Sequence, residues 1–250
     1  MSRRLVVFVV IAIAVAAGCV RLGFWQLSRL AQRRERNTHV SARLAEPLVE
    51  LTALAPDSAS RLRRARVTGT LDYDRELVLA ARSFEGSPGV HLFTPVRIAG
   101  RDTAMLVNRG WIYAPDGVSV DLRRWRERGS TFSGYAELLP TVSDGASAML
   151  RDSSRIVRRL DYGAIARALP YPVSRLYLVA TAVDSATPAG DRVARLPPPA
   201  LDEGPHLGYA LQWFSFAAIA LVGAAAVVIR TRAERELTRV PSANGKVARW

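Results

Sequence analysis

His206, Tyr209 and Trp213 are the residues of this chain whose types and spacing point most directly to chemistry. If the segment that begins at His206 is helical, Tyr209, Ala210 and Trp213 follow at i+3, i+4 and i+7 and share its face. A neutral imidazole above a shelf of one small residue and two aromatics suits a flat apolar ring with a metal at its centre, such as haem. The same residues at the end of an apolar helix also describe an aromatic belt at a membrane surface, and the pattern leaves both readings open. His39 lies in a polar stretch and is expected to be solvated. His91, inside the apolar run VHLFTPV, is expected to be a core or hydrogen-bonded strand residue.

The remaining chemistry is mostly exclusion. Cys19 is the single cysteine, so no intrachain disulfide and no CxxC metal or haem-attachment motif can form. The chain has no glycine-rich phosphate loop, no HExxH, no GxSxG elbow and no histidine–carboxylate cluster at metal spacing, and it is not expected to be an enzyme. Of its 35 basic residues only Lys246 is a lysine, a bias that reflects coding composition more than selection. The net charge of +13 raises nucleic acid as a partner, but the arginines are scattered through strands and turns without a helix-turn-helix or an aromatic-and-basic RNA-binding pattern. A membrane surface or protein partner fits that charge better than nucleic acid does.

The elements that would position His206 are two apolar segments. Leu5 to Val20 carries no charge, and with Leu22 to Leu27 it reaches about the 20 residues that a bilayer core requires. Arg21 and Trp25 then belong at the headgroup level. The second segment runs from His206 to Ile229 and stops at Arg230. Short basic stretches, Ser2-Arg3-Arg4 and the run after Ile229, flank both outer ends, which places both termini in the cytoplasm and the middle of the chain across the membrane. A cleaved signal peptide, or a lipoprotein signal ending at Ala16-Ala17-Gly18-Cys19, competes with the anchor reading of the first segment. The amphipathic, aromatic continuation RLGFWQLSRL favours the anchor. The exit of the first helix and the entry of the second then share one interface. Trp25, Gln26 and Arg29 are expected beside His206, with Arg21 or Arg29 suited to pairing with haem propionates.

The expected domains are an N-terminal transmembrane helix and flank (1–29), a translocated β-rich domain (30–204), a C-terminal transmembrane helix (205–230) and a basic cytoplasmic tail (231–250). Strands are expected over Arg66–Leu71, Glu76–Ala81, Val90–Ile98, Ala104–Tyr113, Thr131–Leu138 and Leu176–Val183, with a linker over Pro47–Ser60 and one amphipathic helix over Asp161–Leu169. Gly100, in Ala99-Gly100-Arg101-Asp102, marks a hairpin turn. The fold class is a membrane protein whose two terminal helices flank one α+β domain, arranged as a small antiparallel barrel or sandwich. Arg109 and Trp111, near an exposed-looking strand end, are candidates for partner contact, with plain packing the alternative for Trp111.

Four motifs resemble the Surfeit-locus family of cytochrome c oxidase assembly factors. Gly23-Phe24-Trp25-Gln26-Leu27-Ser28-Arg29 is similar to its GxWQxxR signature, VHLFTP (90–95) and LVNRGWI (106–112) to its central strands, and HLGYALQWF (206–214) to its second-helix signature. They follow the family's order and cover about residues 4–230. The resemblance implies a bacterial inner-membrane, multi-pass protein that assists insertion of haem a into the largest oxidase subunit, with haem A synthase as a further partner. It implies a transient haem a cofactor with His206 as the iron ligand and the family's GxWQ residues on Gly23, Trp25 and Gln26; Tyr209, Trp213 and Arg29 join the expected site by their positions. Gly204-Pro205 stands where the family often has polar amides, and Gln212 where threonine is frequent. The alternative function is a membrane scaffold that holds oxidase subunits without binding haem.

Overall fold

The computed structural model of the chain describes residues 2–142, 155–181 and 193–237. Contacts divide it into two units, one made of the helices at the two ends (1–38 and 202–250) and one made of residues 39–201.

In the helical unit, α1 (Arg3–Ala45) is continuous, so the expected membrane segment and the basic stretch after it are one helix. Its partner, α3 (His206–Leu237), starts at the expected residue and runs past Arg230. The part of the basic tail beyond residue 237 lies outside the described residues. Both helices are long and apolar enough to cross a membrane.

The positions of α1 withdrawn from solvent advance in alternating steps of four and three: Leu5, Val9, Ala12, Ala16, Cys19, Gly23, Gln26, Leu30, Arg33, Asn37. On α3 they are His206, Ala210, Trp213, Ala217, Ala220 and Ala224. This is the 3.5-residue period of two helices packed along a seam. The pair is antiparallel, since Gln26 meets His206 while Ala16 and Cys19 meet Ala217. Half of these seam residues are alanine, glycine or cysteine, which lets the backbones come close in the manner of helices packed in lipid. At Gly23 the fit is tight, because a Cβ there would lie 2.6 Å from the Phe214 ring. Phe24 packs edge-on against the same ring, 5.4 Å between centroids. Cys19 is buried in this seam beside Ala217 and Trp213.

The second unit is a mixed sheet. Its main strands are β2 (Arg64–Thr68), β4 (Leu77–Phe84), β5 (Ser87–Arg97), β6 (Ala104–Tyr113), β7 (Thr131–Leu138) and β9 (Val173–Ala180). Two-residue strands β1 (Val49–Glu50), β3 (Thr70–Leu71) and β8 (Ile156–Val157) complete the order β1-β2-β7-β9-β6-β5-β4-β8, with β3 paired to β5. The limits of β6 and β7 match those expected from sequence. The expected Leu176–Val183 strand starts earlier, and its last two residues lie outside the described ones.

The antiparallel arrangement needs correction. β4-β5-β6 and β2-β7-β9 are antiparallel, but β1–β2, β4–β8 and β6–β9 are parallel, and the strand order has two free ends. The pairing of β6 with β9 joins strands far apart in the chain, and strand composition carries no signal for it. The β4–β5 hairpin is also longer than expected. Glu85 and Gly86 both take positive φ, the geometry of a tight two-residue turn, where the residue pattern suggests a break. The turn at Gly100 (φ +73°) is where it was expected. The Pro47–Ser60 linker contains β1 and two 3₁₀ turns, Leu51–Ala53 and Ser58–Ser60. Helix α2 (Tyr162–Ala168) is capped by Asp161, whose carboxylate accepts from Ala164 N at 3.1 Å.

Alternation along the central strands fills both faces. Leu176, Leu178 and Ala180 of β9 join Met105, Val107, Phe132 and Val67 in one core. Tyr177 and Val179 join Leu106, Phe93 and Ile165 in the other, which α2 covers.

Between these cores lies a buried ionic cluster. Arg109 of β6 and Glu76, next to β4, are both fully buried, and Glu76 Oε1 accepts from Arg109 Nη2 at 2.5 Å and from Thr94 Oγ1. Arg109 Nη1 donates to the Trp125 carbonyl at 2.7 Å and to Glu127 Oε2 at 3.0 Å. Glu127 also receives Arg195 at 2.7 Å. Burial opposes the charge on Arg109, but Glu76 and Glu127 outweigh it and hold the guanidinium above its usual range. Arg109 is therefore not the surface contact that the sequence suggested. It lies at the heart of the sheet unit, and an arginine in a β-run gives no sign of which face it takes.

Replacing Arg109 by leucine strands the Glu76 carboxylate in the core and is expected to cost about 3–5 kcal/mol. Thermal unfolding in detergent would measure it. The double variant Glu76→Leu/Arg109→Leu is expected to recover a large part of that loss.

Candidate functional site

The entry of α3 is set by polar contacts with α1. Arg34 grips Glu203 through two hydrogen bonds of 2.8 Å, while Arg33 and Asn37 donate to the Asp202 carbonyl at 3.1 and 3.0 Å. Each exposed pair contributes little alone, but the fork-like geometry of the Arg34–Glu203 pair fixes direction as well as distance. Asp202 Oδ1 then accepts from Gly204 N at 3.0 Å, and Gly204 takes φ +68°, a turn that a side chain would strain. Pro205 follows, and its carbonyl accepts from Tyr209 N at 3.1 Å to open the helix. Proline lacks an N–H that has no partner at this position anyway, so the departure from the family pattern at Pro205 leaves helix entry intact.

This turn presents His206. Its Nδ1 lies 2.9 Å from Gln26 Oε1 across the seam, a half-buried contact between residues 180 apart in the chain. A Cβ at Gly204 would be in ordinary van der Waals contact with the ring, 3.5 Å from His206 Nε2 and 3.4 Å from Cδ2. The imidazole is thus held at Nδ1.

Of the residues expected around His206, Gln26 is brought to it directly. Trp213 lies further along the seam, packed toward Ala16, Cys19 and Ala217 and edge-on to Phe216 at 5.9 Å. Trp25 and Tyr209 expose about half of their surface, 53% and 48%, on the outer faces of their helices. Arg29 donates to Gln32 on its own helix at 3.0 Å. Direct support of the imidazole therefore comes from Gln26 and the Asp202–Gly204 turn. The role of that turn exceeds what the sequence suggested, although the Gly-Pro dipeptide before an apolar run signals a tight entry.

The sheet unit holds two further groups of polar chemistry. A pocket of about 430 Å³ is lined by Arg124, Arg126, Arg128 and Arg195 with Trp125 and Phe132. Much of its charge is already used internally, with Arg195 on Glu127 and Arg126 on Asp74 at 3.0 Å. His91 of β5 is half-buried, and its Nδ1 lies 3.4 Å from Asn108 Nδ2. Burial, and next the charge of Arg82, lower its pKa to about 4, and it stands on a strand beside Asn108 as a strand histidine was expected to. His39 is exposed on α1. Trp111 packs against Phe84 at 5.6 Å and donates from Nε1 to the Arg82 carbonyl at 3.3 Å, the packing role. Among the described residues no three His, Cys, Asp or Glu side chains gather at metal-binding spacing.

A family model described as the SURF1 family matches residues 13–218. An uncharacterized SURF1-like protein of Mycobacterium bovis is 29% identical over 206 residues, covering 80% of this chain and 73% of its own. A SURF1-like protein of Rickettsia felis is 24% identical over 220 residues, covering 87% and 92%. One from Caenorhabditis briggsae is 30% identical over 125 residues, covering 41% and 39%.

The neutral state of His91 has a measurable consequence. A histidine whose folded pKa lies near 4 binds its proton more readily when unfolded, where the value is about 6.5. Its contribution is present above pH 6.5 and is lost as the pH falls toward 4, at most about 3 kcal/mol. Unfolding curves between pH 7 and 4 should show a smaller loss of stability in His91→Leu than in the unaltered protein.

Proposed function

The chain belongs to the SURF1 family, known generally as oxidase assembly factors, and from that premise we propose that it assists the insertion of haem a into the largest subunit of cytochrome c oxidase. In this reading it is a non-enzymatic carrier that holds haem a transiently through His206 Nε2 and releases it to the oxidase, with haem A synthase as donor. One observation carries the reading: the imidazole at the entry of α3 is fixed by Gln26 at Nδ1, which leaves Nε2 as the nitrogen for a ligand.

The residues present fit the group. An imidazole held at Nδ1 is a haem ligand by chemistry through its other nitrogen. When bound, the haem supplies the iron that His206 coordinates. The protein's own residues do the rest. Gln26 orients the ring, and the Arg33, Arg34 and Asn37 contacts to Asp202 and Glu203 fix where the ring stands. Tyr209, with its exposed ring close along the same helix, offers an apolar surface beside it. A single protein ligand suits delivery, since a cofactor held by many contacts is slow to leave.

The same proposal places α1 and α3 across the inner membrane as an antiparallel pair. The residues away from the seam, among them Val6, Val10, Ile11, Ile13, Ile219, Val222 and Ile229, are exposed and aliphatic. A water-soluble helix pair turns such residues inward, whereas lipid accepts them. The positive-inside rule, applied to Arg3, Arg4, Arg230, Arg232 and Arg235, puts both termini in the cytoplasm and residues 39–201 on the far side. There the sheet domain would meet the oxidase subunit.

The test is the visible absorption spectrum of the detergent-solubilised protein, co-expressed with haem a biosynthesis, beside that of His206→Ala. A haem a spectrum in the first and its loss in a folded variant is the expected result. Haem absent from both, with oxidase activity in cells unaffected by the substitution, would leave the non-haem scaffold as the function.

A further inference from the structure

The contact between Gln26 and His206 bears on more than orientation, and its consequence for iron binding rests on the carrier function proposed for this site. A neutral imidazole has one N–H and one lone pair, and the partner of the first nitrogen decides which atom keeps the lone pair. Here Nδ1 faces the carbonyl oxygen of the Gln26 amide at 2.9 Å. An amide oxygen can only accept, so the contact is a hydrogen bond when the proton is on Nδ1. The lone pair is then on Nε2.

We propose that Gln26 is the positioning residue for His206, holding the imidazole in its Nδ1–H form so that Nε2 is the ligating atom, and that its uncharged amide keeps His206 a ligand weak enough to release iron. The second part follows from the type of acceptor. Histidines that bind metals commonly donate their other N–H to a carboxylate, a carbonyl or water, and a carboxylate raises the basicity of the ring most. Gln26 supplies the shape of a glutamate without its charge. It occupies a seam position of α1, where the side chain reaches across to α3 rather than out to solvent. Gly23, one helical turn earlier, brings the two helices close enough for that reach. Gln26 therefore acts through His206 and need not touch the cofactor.

The full-length protein in detergent, labelled with ¹⁵N at histidine and free of haem, tests the first part. The ring nitrogen shifts of His206 should report Nδ1–H in the unaltered protein and in Gln26→Glu, and a change toward Nε2–H in Gln26→Leu. Titration with ferric protohaem tests the second part. Gln26→Leu should weaken binding by about 10- to 100-fold, the usual effect of losing such a supporting contact. Gln26→Glu should bind more tightly than the unaltered protein and give a lower reduction potential. If Gln26→Leu does not fold, the comparison of Gln26→Glu with the unaltered protein still decides. Nε2–H in the unaltered protein, or a Gln26→Glu variant with unchanged affinity and potential, overturns the proposal. The expected tautomers without any haem uptake would sustain the orienting role of Gln26 and overturn the carrier reading instead.

Discussion

The close approach of α1 and α3 is the constraint on which the candidate site depends. Two helices whose outer faces are aliphatic cannot be driven together by hydrophobicity if those faces sit in lipid, so contact must come from packing. The seam meets that demand with Ala12, Ala16, Cys19 and Gly23 against Ala210, Ala217, Ala220 and Ala224. Each lets the backbones come nearer than leucine would. That nearness lets a side chain as short as glutamine bridge from one helix to the other.

The same seam changes character along its length. Up to Gly23 it is apolar; from Gln26 onward its positions include Gln26, Arg33 and Asn37, which take His206 and the Asp202 carbonyl as partners. The helical period continues while the chemistry turns from packing to hydrogen bonding. His206 sits at that change. A polar pair placed deeper among the aliphatic residues would cost several kcal/mol if left unsatisfied, and one placed farther out would be solvated and poorly fixed. The position therefore combines a defined geometry with access.

The sheet unit meets a different problem with related means. Arg109 is fully buried just past the point where β6 pairs with β9. Its guanidinium donates to Glu76, Thr94, Glu127 and the Trp125 carbonyl. Glu127 in turn ties in Arg195, beside the segment where Ala194 pairs with Trp111 on the side of β6 that β9 has left. Residues from five separate stretches of chain are joined through one guanidinium. Such clusters add little net stability over an apolar core, but each partner is costly to remove.

The sequence by itself determined the two apolar helices, the start of the second at His206, the strand limits of β6 and β7, the turn at Gly100 and the family, because all are set by residue type over short windows. It also marked Gln26 and His206 by motif and, through the shared interface of the two helices, placed Gln26 with Trp25 and Arg29 beside His206. Three things were decided only in the tertiary structure. The 3.5-residue seam was hidden because an almost wholly apolar helix offers no polar face to contrast with its packed one. The burial of Arg109 was hidden because its partners are 15 to 33 residues away, on another strand or in loops. The pairing of Gln26 with His206 across 180 residues, while Trp25 and Tyr209 face outward, depends on the rotation of each helix about its axis. That rotation is set by how small residues interlock, a property of the pair that neither helix carries alone.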